Sequence, residues 1–289
     1  MLNRHNQSFK VGVMDFSIYR QQVNIDNKQL SYLDIGSGPV LLFGHCFLWD
    51  SLMWAPQIEM LSQHYRCIVP DLWGHGASDS MPENTKSLLD IAEHMLQLMD
   101  SLGVAEFNLI GLSVGAMWGA ELVLKAPDRV KSIVMLDSFI GYEPEITRTK
   151  YLAMLDKIQA EGNISTPLIQ QISPLFFADN ASIDSAQIVE QFEQYLASLK
   201  AEQLGPLIDL GRLMFSRRDT MDFAEQFTLP CLIMVGIEDK SRTVLESYLM
   251  HDAIDGSEFV HIPNAGHISN LEQSDFVSAK ISDFLARLN

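Results

Sequence analysis

A chain of 289 residues, 47% apolar and 20% charged, holds enough side chains to bury a sizeable core and exceeds the common size of one small domain. Its 37 acidic against 20 basic side chains leave a net charge of -17, a field that repels phosphate backbones and anionic lipid, so neither nucleic acid nor a membrane is the expected partner. Cys46, Cys67 and Cys231 give neither an even set nor a C-x-x-C pair, so nothing in them suggests a disulfide framework or zinc site, and the lack of a leader-like apolar stretch predicts a cytoplasmic setting.

Residues 21–25 and 29–35 flank the Asp26-Asn27-Lys28 turn and predict an antiparallel hairpin. After Gly36-Ser37-Gly38-Pro39 comes a buried strand at 40–44. Further short apolar runs predict strands at 66–70, 107–110, 131–136, 232–235 and 258–262, and helical periodicity marks about 51–63, 86–102, 114–125, 243–254 and 268–288. Eight strands alternating with crossover helices imply an α/β protein with a mostly parallel sheet flanked by helices. From 142 to 223 the pattern is helical throughout, which predicts a helical lid inserted into a core made of 1–141 and 224–289.

Chemistry concentrates at the predicted strand ends. Gly111-Leu112-Ser113-Val114-Gly115 follows one strand and opens a helix, the context of a nucleophile elbow, where glycines allow a turn tight enough to expose the serine hydroxyl. The new helix aims its amides at Ser113, so the Val114 N–H is a candidate oxyanion donor. His267, in Ile262-Pro263-Asn264-Ala265-Gly266-His267, is the candidate base. Asp239 lies between Ser113 and His267 in the chain order that such an elbow requires; Glu238 is its neighbour, and Asp137, at the end of another strand, is an alternative acid. Gly44-His45-Cys46-Phe47 offers a second oxyanion donor, most simply the Phe47 N–H, with His45 organising the loop. The glycines and short polar side chains of Asp71-Leu72-Trp73-Gly74-His75-Gly76-Ala77-Ser78 are those of a structural turn.

Taken together, GHCFLWDSLMW, PDLWGHGASD, GLSVGAMWGAE, VGIEDKSR and IPNAGHISNLEQ resemble the α/β-hydrolase superfamily over nearly the whole chain. Within it they are similar to 3-oxoadipate enol-lactonase-like enzymes, small carboxylesterases and haloperoxidase-like serine hydrolases. The resemblance implies a catalytic triad of Ser113, Asp239 and His267, with Asp239 preferred to Glu238. It further implies hydrolysis of a small ester or lactone through an acyl-enzyme, with no metal or organic cofactor. Perhydrolase or haloperoxidase-type activity, and a non-catalytic ligand-binding homologue, are the alternatives. Where the family commonly has glycine after the loop histidine this chain has Cys46, so the second oxyanion amide belongs to Phe47 or Cys46. The lid's composition predicts an apolar pocket with Cys46, Trp49, Phe176, Phe177 and Met214 as candidate walls, and Arg148, Arg212, Arg217 and Arg218 as candidates for a substrate carboxylate or for solvent.

Overall fold

The computed structural model describes residues 14–179 and 183–288; the N-terminal stretch in which the sequence predicts no leader lies largely outside them. Ile25 pairs directly with Lys28, and between them Asp26 and Asn27 take φ values of 49° and 66°. Short polar side chains tolerate this left-handed backbone, whose twist suits a two-residue turn. The turn joins β1 (Arg20–Ile25) to β2 (Lys28–Gly36), so Lys28 opens the second strand instead of completing the turn.

Six more strands follow, β3 (Val40–Gly44), β4 (Arg66–Pro70), β5 (Phe107–Leu112), β6 (Val130–Leu136), β7 (Cys231–Gly236) and β8 (Glu258–Ile262). They complete one sheet in the order β1-β2-β4-β3-β5-β6-β7-β8. The β1–β2 and β2–β4 pairs are antiparallel and the remaining pairs parallel. β3, β5, β6 and β7 bury nearly every residue, the pattern of parallel strands covered on both faces. The expected α/β architecture is thus borne out.

The helices of the core are α1 (Ala55–Leu61), α2 (Leu88–Ser101) and α3 (Val114–Lys125); α4 (Glu145–Glu161), α5 (Thr166–Ile172), α6 (Ile183–Ser198) and α7 (Ala201–Phe215) come next, and α8 (Val244–Ala253), α9 (Ser269–Glu272) and α10 (Ser274–Ala286) close the chain. Two predicted helices are divided. A 3₁₀ turn, Ser51–Trp54, precedes α1, whose first turn contains Pro56; proline has no amide hydrogen and suits a helix start, not its interior. Non-helical Gln273 separates α9 from α10.

Two features of this architecture position the site. Strand order reverses about β3, which lies between β4 and β5, and such a switch leaves a crevice at the strands' carboxyl ends. Between β6 and β7 the chain runs through α4 to α7, with no strand among the described residues. Helix α4 packs on α7, and α7 meets the core where Pro206 touches Gly74. A Cβ on Gly74 would lie 2.7 Å from the Pro206 Cβ, and its φ is +77°, so both contact and conformation call for glycine. No helix among the described residues is long and apolar enough to cross a membrane.

Candidate active site

Ser113 sits between β5 and α3 with φ 55° and ψ -119°, a conformation unfavourable for a residue bearing Cβ. The surroundings over-determine it. Its N–H donates to Leu136 O at 2.9 Å, and its carbonyl accepts from Ala116 N at 3.0 Å and from the Ser138 hydroxyl at 2.8 Å. A Cβ on Gly111 would come within 2.5 Å of the Ala116 nitrogen, and one on Gly115 within 2.1 Å of the Gly44 carbonyl oxygen. Glycine therefore lets β3, β5 and α3 converge beneath the serine. Val114 begins α3, where the amide has no intrahelical acceptor.

His267 and Asp239 reach Ser113 from the ends of β8 and β7. His267 Nε2 is 3.0 Å from Ser113 Oγ, and Nδ1 is 2.8 Å from Asp239 Oδ2. The other Asp239 oxygen accepts from the amides of Ser241 at 2.7 Å and Arg242 at 2.9 Å, which fixes the carboxylate's direction. All three side chains are buried. Burial alone would push the imidazolium down, but the Asp239 carboxylate against Nδ1 holds His267 well above the ordinary histidine range.

The neighbouring carboxylates face elsewhere. Glu238 accepts from the Asp179 amide at 3.1 Å. Asp137 accepts from Gly236 N at 2.7 Å with one oxygen and from the Ser269 hydroxyl with the other. Burial and the nearby Asp239 charge raise the Asp137 carboxyl well above its usual range. Both of its oxygens are thus engaged away from the imidazole.

The loop after β3 is held by two neutral histidines. His45 Nε2 accepts from the Leu72 amide at 2.7 Å while Nδ1 donates to Cys46 O at 2.7 Å. His75 Nε2 accepts from the Leu48 amide at 3.1 Å, Nδ1 donates to Trp73 O at 3.0 Å, and the ring packs edge-on against Phe47. Burial, aided by His45, pushes His75 down to about 3, so it remains an acceptor at neutral pH. The Cys46 amide donates to Met53 Sδ at 3.3 Å, whereas the Phe47 amide meets no acceptor among the described residues. The 71–78 turn bonds to itself, the Ala77 amide and the Ser78 hydroxyl both donating to Asp71, and is anchored outside by the Ser51 amide and the Arg20 guanidinium on the Asp71 carboxylate.

A narrow cavity of about 80 Å³ opens at Ser113 and His267. Cys46, Phe47, Phe176 and Met214 line it; Trp49 and Phe177 do not. This corrects the expected wall: Trp49 stacks on Phe192 at 5.2 Å, with Phe177 edge-on to both, so these rings form an aromatic layer beside the cavity. None of the four arginines considered from sequence lines it either. Arg212 pairs with Asp156, Arg218 with Glu121 and Arg217 with Glu143, and Arg148 is exposed.

The arginine on the cavity wall is Arg242, which sequence reasoning missed. Its Nη2 donates to Glu143 at 2.6 Å, and Arg217 donates to the same oxygen at 3.1 Å. Burial would raise the Glu143 carboxyl, but Arg242 and Arg217 hold it below its ordinary range. Glu272 was also missed: it accepts from Ala178 N at 2.9 Å and Gly266 N at 2.7 Å, tying the segment before α6 to the His267 loop. Burial pushes its carboxyl up to about 7. The positions of Arg242, three residues beyond Asp239, and of Glu272, five beyond His267, pointed toward the site; the contacts with Glu143 and Ala178 span 99 and 94 residues, which local pattern does not encode. No group of three His, Cys, Asp or Glu among the described residues is arranged to hold a metal ion.

Comparison with known proteins adds to this geometry. A family model described as alpha/beta hydrolase fold matches residues 39–274. The chain is 24% identical over 275 residues to 3-oxoadipate enol-lactonase 2 of Acinetobacter baylyi, covering 94% of this chain and 98% of that protein. It is 27% identical over 256 residues to carboxylesterase YbfK of Bacillus subtilis, covering 86% and 80%. Among solved structures, a thermophilic esterase from Thermogutta terrifontis superposes with a TM-score of 0.84 at 26% identity, covering 93% of this chain and 99% of that one.

Proposed function

The chain belongs to the alpha/beta hydrolase fold family, and from that premise we propose that it hydrolyses carboxylic esters or lactones with Ser113 as nucleophile. The observation that carries this reading is the hydrogen-bonded line from Asp239 through His267 to Ser113, at 2.8 and 3.0 Å, on a serine held in a strained turn at a strand end. His267 Nε2 takes the hydroxyl proton as Ser113 Oγ attacks the carbonyl carbon. Asp239 keeps the Nδ1–H tautomer and stabilises the imidazolium as it forms.

The negative charge on the carbonyl oxygen then falls to the amides of Val114 and Phe47. Phe47 is favoured over Cys46 because the Cys46 N–H is already engaged by Met53. Each such donor lowers the barrier by about 3 kcal/mol. His267 returns its proton to the departing alcohol oxygen, leaving Ser113 acylated. Water, deprotonated by the same imidazole, attacks the acyl carbon, and as the bond to Ser113 Oγ breaks His267 returns that proton to the serine and the acid leaves.

In this account residues 142–223 act as a lid, with α4, α5 and α7 roofing the cavity over the nucleophile. Exchange of Ser113→Ala tests the mechanism: turnover of p-nitrophenyl esters should fall by at least about a thousandfold while circular dichroism stays that of the parent. Retained turnover in that variant would remove Ser113 from the reaction.

A further inference from the structure

Away from Ser113 and His267 the cavity wall is mostly apolar, with Tyr151, Ser241 and Arg242 as its polar members. Leu155 and Ile158 of α4 face Leu204, Leu207 and Ile208 of α7, with Ile172 of α5 beside them. The spacings 155/158 and 204/207/208 each place side chains on one face of a helix. Apart from the catalytic imidazole of His267, the charged side chain on the wall is Arg242, the obvious receptor for a carboxylate.

That receptor is already filled. Nη2 of Arg242 donates to Glu143 at 2.6 Å and Nη1 faces Glu246 at 3.5 Å. Arg217 brings a second positive charge onto Glu143. Two guanidinium groups are therefore opposed by two carboxylates, and Asp239 beyond them is paired with His267, which leaves no uncompensated positive charge on this wall. A substrate carboxylate would have to displace Glu143 or rely on the Tyr151 hydroxyl and on that of Ser241, which already donates to Leu175 O, with no free positive charge to pair with, and both cost more than leaving it in water.

We propose that the cavity selects esters with an uncharged aliphatic arm and rejects carboxylate-bearing ones, and that Glu143 determines this selectivity by cancelling the charge of Arg242. The proposal rests on the serine-hydrolase reading and specifies its substrate class. Glu143 acts at the start of the helical segment, 99 residues before its partner, which is why no local motif announces it.

Two isosteric pairs test it. On the acyl side, p-nitrophenyl pentanoate is compared with mono-p-nitrophenyl glutarate, which carries a carboxylate in place of the terminal methyl. On the alcohol side, butyl acetate is compared with its terminal-carboxylate analogue. In both pairs kcat/KM should favour the neutral member by at least about tenfold, and in Glu143→Gln the ratio should move toward the anion by about tenfold. In one or other arm, kcat/KM should also climb with chain length, by up to about fourfold per buried methylene.

An anionic member turned over as well as its neutral partner in the parent protein overturns the selectivity. An unchanged ratio in a folded Glu143→Gln overturns the role of Glu143. Should that variant fail to fold, Arg242→Gln supplies the second comparison: a selective loss of the anionic substrate there would show that Arg242 does receive carboxylates. Absence of turnover of every neutral and anionic ester instead overturns the hydrolase reading itself, an outcome distinct from reversed selectivity.

Discussion

Ser113, His267 and Asp239 come from three strand ends, yet each is held by contacts that leave little freedom. Asp239 carries two amide hydrogen bonds on the oxygen turned away from His267, so its other oxygen stays on Nδ1. Asp239→Asn keeps the shape but offers the wrong tautomer, and kcat should drop on the order of 10⁴-fold. Asp137→Asn, whose bonds run to Gly236 and Ser269, should cost much less; steady-state rates of the two variants decide between the carboxylates. The base must be unprotonated to act. Because Asp239 raises His267, activity should rise with pH along a limb above the ordinary imidazole range, and the limb should move down in Asp239→Asn. A limb below that range in the parent would mean that Asp239 does not stabilise the His267 imidazolium as the geometry requires. At this scale the sequence marks Ser113 strongly, through paired glycines, and His267 and Asp239 by their order. It does not mark Arg242 and Glu143, because an ion pair across 99 residues has no local signature.

The elements themselves follow closely from periodicity, because buried parallel strands leave continuous apolar runs and their crossover helices leave amphipathic ones. Departures have local causes: Asp26 and Asn27 close a turn in two residues, Pro56 starts α1, and Gln273 interrupts the last helix. What periodicity does not give is how the helical segment between β6 and β7 sits on the sheet, and that misplaced Trp49 and Phe177. Both rings pack on Phe192 of α6, a tertiary contact between apolar residues that composition alone leaves open. Glu272 is the polar counterpart, joining α9 to Ala178 and to Gly266. Glu272→Ala would leave two backbone amides without their acceptor, so thermal or urea unfolding should report a loss of about 1–3 kcal/mol. Unchanged stability would show that these amides find water or another partner.

For the molecule as a whole, the alternation of strands and helices identified the fold class, and net charge set expectations about partners. A charge of -17 makes the approach of anions unfavourable before any contact is made, in the same sense as the neutralised Arg242. Added salt screens that long-range field but only weakly affects a buried ion pair. For the carboxylate-bearing esters, kcat/KM should therefore rise with ionic strength while remaining below that of the neutral isosteres, and the neutral esters should change little. Equal salt dependence in both series would assign the selectivity to something other than charge. Reaction with a fluorophosphonate followed by peptide mass mapping tests whether Ser113 is the nucleophile of an ester- or lactone-cleaving hydrolase. One adduct, on Ser113, should form in step with the loss of ester turnover; no adduct, or an adduct elsewhere with turnover lost in step, would contradict that role.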